Sequence, residues 1–274
     1  MNYFFKKHIS KVILLTAIIP LLNAEDRLRL ENAELLENKT IENESVKFIS
    51  GDVVFSKGSL TLYCDEGRHF ENKALVILYQ NVSAVQNNRT LKCDTIKFFS
   101  KKNQLLSIGS ARVWDQDYDL TADSIIVFTK KDSGIAIGNV TLVQKGQTIN
   151  ANRIEYQKDE KHDGISYTAS GNITIKDSSR IAYCGKARYD REKEITTLEI
   201  NPEITDNARV LSGNTIELTY HKEELKSLHI PENAIAITPV NGYLKSPIDS
   251  INNLDEIYFD DNLEGSELKS FFID

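Results

Sequence analysis

The chain has 274 residues, 41% of them hydrophobic, with 33 Lys and Arg against 40 Asp and Glu and a net charge of −7. That apolar content supports a sizeable core and excludes an intrinsically disordered chain. An acidic balance without a basic stripe argues against nucleic acid as a partner and against broad electrostatic docking on an anionic membrane surface.

The N-terminus comes first. Lys6, Lys7 and Lys11 precede an apolar run, Val12 to Leu22, and Asn23-Ala24 offers a small residue before Glu25-Asp26. This is the layout of a secretory signal, and the run is short for a membrane span. An uncleaved anchor is the competing reading. Removal of 1–24 takes three lysines and no acid, leaving a mature chain with a net charge of −10. The expected organisation is a signal peptide over 1–24, a repeat domain over 25–237, and a looser segment over 238–274 with a partial further repeat.

Glu31 to Glu44 has helical composition, but Ala33-Glu34-Leu35-Leu36 fits a degenerate copy of a repeated phrase, so it is read as strand or loop. The phrase itself recurs as Leu62-Tyr63-Cys64-Asp65, Leu91-Lys92-Cys93-Asp94, Leu120-Thr121-Ala122-Asp123 and Ile149-Asn150-Ala151-Asn152, with successive Asp or Asn 29 residues apart. It returns at Cys184-Gly185 and Gly213-Asn214. A second phrase interleaves with it: Gly51-Asp52-Val53, Gly109-Ser110-Ala111, Gly138-Asn139-Val140 and Gly171-Asn172-Ile173. Fixed-period self-similarity marks stacked units, none of which buries its apolar face alone.

Around each Asp the apolar residues alternate with period two, and the phase slips at the Asp, as in Leu120, Ala122, Ile125 and Val127. A slip of one residue signals a bulge or corner, and Gly supplies the backbone angles for a kink. Val140 and Leu142 face one way, Asn139 and Thr141 the other. Each unit is therefore two strands and two polar turns. About six units run from Glu31 to Leu228, an all-β, elongated β-jellyroll or solenoid-like two-sheet sandwich of ~29-residue repeats, sheets ~10 Å apart. After Ile230 the rhythm loosens, and Glu224-Leu225-Lys226-Ser227-Leu228 is echoed by Glu267-Leu268-Lys269-Ser270-Phe271. The chain thus ends in mid-repeat, as a fragment or as an open edge.

The residues hold little chemistry. No G-x-S-x-G, G-x-G-x-x-G, Walker loop or H-E-x-x-H occurs, so no catalytic residue, metal ligand or cofactor is expected. The Asp of each rung stands alone, which suits a corner residue better than a calcium ladder. His69, His162, His221 and His229 read as turn or surface residues. Cys64, Cys93 and Cys184 share the slot of Ala122 and Ala151, which asks for something small and buried; a Cys64–Cys93 disulfide is a secondary reading.

The rhythm of Gly51-Asp52-Val53 with Leu62-Tyr63-Cys64-Asp65, and of Gly138-Asn139-Val140 and Gly171-Asn172-Ile173, resembles the "G-N-V … L-x-A/C-D" grammar of the OstA/LptA family and of the related LptD N-terminal domain. The resemblance covers about Leu30 to Ala234. Gly185 and Asn214 depart from it where Asp is usual, as does Asn201-Pro202 in place of Gly-Asn. It implies a periplasmic β-jellyroll without catalytic residues, whose interior takes the acyl chains of lipopolysaccharide or a related glycolipid. Edge-to-edge pairing with other Lpt-type envelope proteins, or with itself, is also implied.

On this reading the lipid-binding interior is an apolar seam formed by Val53, Phe55, Leu62, Leu91, Ile96, Phe98, Val113, Leu120, Ile125, Val127, Val140, Leu142, Ile149, Ile154, Ile173 and Ile175. The same stripe read without the resemblance is a closed core, which makes the chain a structural or adhesive exported solenoid without a lipid ligand.

Overall fold

Apolar residues at period two, separated by polar turns, fold as strands throughout the computed structural model. It describes residues 27–41, 43–144, 146–158, 165–206, 209–221, 224–237, 239–240, 243–244 and 257–260. The expected signal over 1–24, His162 and the echo at 267–271 lie outside these residues.

A kinked first strand, β1 (Arg29–Asn32) and β2 (Leu35–Ile41), leads into a long antiparallel meander. This comprises β3 (Glu44–Lys57), β4 (Leu60–Phe70), β5 (Leu75–Gln86), β6 (Arg89–Phe99), β7 (Gln104–Trp114), β8 (Tyr118–Phe128), β9 (Ser133–Gln144), β10 (Gln147–Lys158), β11 (Ile165–Lys176) and β12 (Arg180–Asp190). Each strand pairs with its neighbours in sequence. The later strands break in two: β13 (Ile195–Glu199) with β14 (Glu203–Asp206), β15 (Val210–Ser212) with β16 (Thr215–His221), and β17 (Glu224–Ile230) with β18 (Ile235–Ile237). The strand Ile257–Asp260 pairs with β17. Within the stretch from Glu31, Glu31-Asn32 and Leu35–Ile41 are strand, with a break at Ala33-Glu34 between them.

The two layers are not separate sheets. One antiparallel sheet of 19 strands is creased along its middle, because nearly every long strand runs through a corner where its pairing shifts register. The crease is made by pairs of residues in the left-handed region: Gly51-Asp52, Gln80-Asn81, Gly109-Ser110, Gly138-Asn139, Gly171-Asn172 and Ile200-Asn201. These pairs recur every 29 residues, with one interval of 33. A bulge of this kind bends the strand and keeps apolar side chains on the inner face of both halves.

The acidic residue of the first phrase sits opposite this pair on the neighbouring strand. Asn139 Nδ2 donates to the Asp123 carboxylate at 3.0 Å, and Asn81 Nδ2 donates to Asp65 at 2.5 Å. A Cβ on Gly109, Gly138 or Gly171 would collide with Asp94, Asp123 or Asn152 respectively. The Asp therefore buttresses the corner across the ladder, while Gly-Asn makes the turn. Gly138→Val should cost ~2–4 kcal/mol in urea unfolding, from the left-handed backbone and the clash together. A loss below ~0.5 kcal/mol, the range of a neutral surface change, would contradict this role.

The crease divides the sheet into two facing leaves. Leaf one holds the first halves of β4, β6, β8 and β10 and the second halves of β3, β5, β7 and β9; leaf two holds the complementary halves. Inward residues of both leaves merge into one core cluster, from Ile49 to Ile230.

Candidate functional site

The seam residues lie on the inner face of this folded sheet. Val53, Phe55, Leu62, Leu91, Val113, Leu120, Val140, Leu142, Ile149, Ile173 and Ile175 come from leaf one. Ile96, Phe98, Ile125, Val127 and Ile154 come from leaf two. None of the sixteen is more than 7% exposed, and all belong to the single core cluster. Cross-strand neighbours form a continuous line: Leu120 opposes Leu142, which opposes Ile149, which opposes Ile175. Thr141 points outward, where its hydroxyl lies 2.9 Å from Asn150 Oδ1.

The inner face of leaf two is richer than the sequence phrases indicate. Val76, Leu78, Leu105, Ala136 and Ala169 are also buried there. Their signal was the period-two pattern resumed after each corner, which is legible only once the corner is located. Ser107 is a buried polar exception, its hydroxyl donating to the Ile125 carbonyl at 2.9 Å.

Between the leaves the seam is packed shut. A cavity of about 30 Å³, lined by residues including Gln144, Gln147, Ile149 and Tyr167, has room for about one water. Ligand pockets are usually ~300–1,000 Å³. A depression of about 500 Å³ lies on leaf two beside Gly134, Tyr156 and Tyr189, but none of the sixteen seam residues lines it; an acyl chain in the seam itself requires the leaves to part.

They meet along a mouth opposite the crease, and polar side chains close it. Lys57 Nζ donates to the Ser100 carbonyl at 2.6 Å, and Gln86 Nε2 to the Thr129 carbonyl at 3.4 Å. Arg89 Nη1 lies 3.3 Å from Asp132 Oδ1, and Gln147 Nε2 donates to Tyr220 Oη at 3.1 Å. Each contact joins the rim of leaf one to the rim of leaf two. The first three link residues 43 apart, so the same latch is repeated along the mouth. Neutral hydrogen bonds are worth ~0.5–1.5 kcal/mol each and those to charged groups ~1.5–3 kcal/mol, a modest barrier set against a hydrocarbon chain.

Cys64, Cys93 and Cys184 are all free, and no Cys64–Cys93 bond forms. Burial pushes the thiols up, Cys64 and Cys93 to about 12 and Cys184 to about 11. Thiolate is the reactive form, so all three should resist iodoacetamide at pH 8 in the folded protein and react once it unfolds in urea. Fast labelling of the folded chain would show that the slot is not closed.

His69 is half-buried within β4 rather than in a turn, edge-on to Phe55 of the other leaf with ring centroids 6.2 Å apart. Burial, with Lys47 adding to it and Glu71 opposing, lowers its pKa. His221 ends β16, and His229 lies 3.5 Å from Glu217. Among the described residues no group of three or more His, Cys, Asp or Glu is placed to hold a metal ion.

At the N-terminal end of the sheet, β1 and β2 pair only with β3 among the described strands. Leu30, Leu35, Leu36 and Ile41 are exposed on them. At the other end Ile257–Asp260 covers β17. The outer edge of β18 has no described partner beyond β15, and its Ile235 is exposed. Open edges with apolar side chains are templates for strand addition.

Residues 119–224 match the family model described as LptA/(LptD N-terminal domain) LPS transport protein. Among solved structures, the chain is similar to LptH of Pseudomonas aeruginosa, the LptA-homologous periplasmic component of the lipopolysaccharide transport device. The two are 18% identical with a TM-score of 0.35, over 40% of this chain and 80% of that one. No curated protein matches the sequence.

Proposed function

We propose that this OstA/LptA-like chain is a non-catalytic, periplasmic carrier of lipopolysaccharide or a related glycolipid, working as a shuttle or as one module of a bridge. The observation that carries the reading is the unbroken apolar seam between two leaves that are continuous along one side and held along the other by polar contacts, within a chain whose middle matches a lipopolysaccharide-transport family. The acyl chains enter through the mouth and lie between the leaves against residues such as Phe98, Leu120 and Leu142. The sugar part stays outside, because polar rims and water hold it there.

The energetics suit transfer. Burying hydrocarbon gains ~0.8 kcal/mol per methylene, so a chain of about a dozen gains ~10 kcal/mol before association costs. Parting the leaves breaks the latches and exposes seam surface. That cost offsets part of the gain and keeps the lipid releasable. The exposed edges of β1 and β2, and of β18, supply docking sites for other envelope proteins of the same fold or for a second copy. The segment 1–24 directs export.

The test is uptake by the purified chain of a lipophilic acyl dye and its displacement by lipopolysaccharide. Saturable uptake with displacement supports the carrier. No uptake means a core that never opens, and the chain is then a structural solenoid.

A further inference from the structure

The mouth is not uniform. At one point three buried hydrogen-bond donors gather from both leaves, none hydrogen-bonded among the described residues: Arg89 Nε, Tyr118 Oη and Tyr156 Oη; the amide oxygen of Gln144, paired with Tyr118 across β8 and β9, is the one buried acceptor there that is also without a partner. Arg89 and Tyr118 open β6 and β8 on the rim of leaf one, in phase with the seam residues Leu91 and Leu120. Tyr156 faces them from β10 on leaf two, in phase with Ile154. Tyr118 and Tyr156 are each only 4% exposed, and their ring centroids are 6.3 Å apart. Gly134 makes room for the second hydroxyl, since a Cβ there would sit 2.5 Å from Tyr156 Oη.

Buried donors without acceptors are costly, and a fold that sets two such hydroxyls beside a guanidinium whose own Nε is unpaired is arranged for an incoming acceptor. Arg89 is 11% exposed at its side chain, and its partner Asp132 is 46% exposed and held at only 3.3 Å. Asp132 is therefore free to turn into solvent. The other nearby carboxylate, Asp115, is occupied at its own turn, accepting from the backbone amides of Asp117 and Tyr118. Arginine stays protonated far above neutral pH, and Asp132 and Asp115 lie near the Arg89 guanidinium, while burial raises the pKa of Tyr118 and Tyr156 and keeps both as neutral hydroxyl donors.

We propose that Arg89, Tyr118 and Tyr156 form a receptor for a phosphoryl group at the mouth, the anion replacing Asp132 as the partner of Arg89. A phosphate has the oxygens to accept from Nε and both hydroxyls at once, which a single carboxylate of the chain does not do here. Loss of the Arg89–Asp132 contact also removes one of the latches joining the rims, so arrival of the anion favours the parted state. The group belongs either to an amphiphile whose tails lie in the seam, in which case the inference rests on the carrier reading above, or to free phosphate.

The experiment compares phosphatidic acid, diacylglycerol with the same acyl chains, and inorganic phosphate, on the purified chain and on the double variant Tyr118→Phe/Tyr156→Phe. The variant removes only two orphan hydroxyls from packed rings, so its melting temperature should equal or exceed that of the parent. The expected result is about tenfold tighter binding of phosphatidic acid than of diacylglycerol by the parent, with the preference lost in the variant. Equal binding of the two lipids by the parent, or an unchanged preference in the variant, would overturn the phosphoryl site and leave the seam intact. If neither lipid binds but inorganic phosphate stabilises the parent and not the variant, the site stands with free phosphate and the carrier reading falls. Absence of all three effects overturns both.

Discussion

Leu142→Asp is expected to abolish lipid uptake and to cost the fold at least ~4 kcal/mol, whereas Thr141→Asp leaves both nearly intact. Leu142 has no exposed surface and lies between Leu120 and Ile149 on adjacent strands. Truncating a buried leucine costs ~2–5 kcal/mol through lost burial and the cavity left behind. An unpaired carboxylate at the same place adds a desolvation penalty of several kcal/mol unless it takes up a proton. Thr141 is one residue away on the outer face, and its change loses at most a hydrogen bond to Asn150, worth ~1 kcal/mol. Urea unfolding reads the first effect and dye uptake the second. Equal behaviour of the two variants would mean that the inner face has been assigned to the wrong set of residues.

Joining the two rims covalently should be as damaging to function while leaving stability untouched or raised. Gln86 reaches the Thr129 backbone carbonyl across the mouth, which brings the two positions together, and the three native thiols are buried or held well above their ordinary pKa. Gln86→Cys with Thr129→Cys, bridged by a short cleavable bismaleimide, holds the leaves shut. A seam that lipid reaches only by parting the leaves then becomes inaccessible, and binding should fall at least ~10-fold, in proportion to the loss of the open population. Cleavage of the linker should restore it. Undiminished binding in the bridged protein would mean that the chain enters from an end of the sheet and that the mouth is not the route.

Period-two apolar patterning with a phase slip is a local property, so the strands, the inner face and the corners were legible from Leu120, Ala122, Ile125 and Val127 alone. The corner at Gln80-Asn81 was missed because its left-handed residues lack glycine, the usual marker of such angles. The two facing layers were legible, but not that they are leaves of one continuous sheet. A phase slip places a bulge or corner within a strand, but only the register on both neighbours shows that the strand carries its pairing through the crease and so belongs to both layers. His69 was misplaced because a polar residue near a strand end reads as turn, and only the opposite leaf supplies the Phe55 ring that packs against it.

The mouth was not legible at all. Lys57 with Ser100, Gln86 with Thr129 and Arg89 with Asp132 are 43 residues apart and belong to different strand pairs. Their meeting depends on how far the crease folds the leaves together, which no local pattern encodes. The same holds for the buried hydroxyls of Tyr118 and Tyr156. Each is an ordinary strand-end tyrosine in the sequence and becomes chemically pointed only beside Arg89.

The central claim is that acyl chains lie in the seam, and photocrosslinking in cells tests it most directly. A photoreactive residue is placed at Phe98, at Leu142 and, as the outward control, at Thr141. A lipopolysaccharide adduct is expected from Phe98 and Leu142 and none from Thr141. Clean absence at both inner positions, with the protein folded and exported, would contradict it and leave a closed β scaffold.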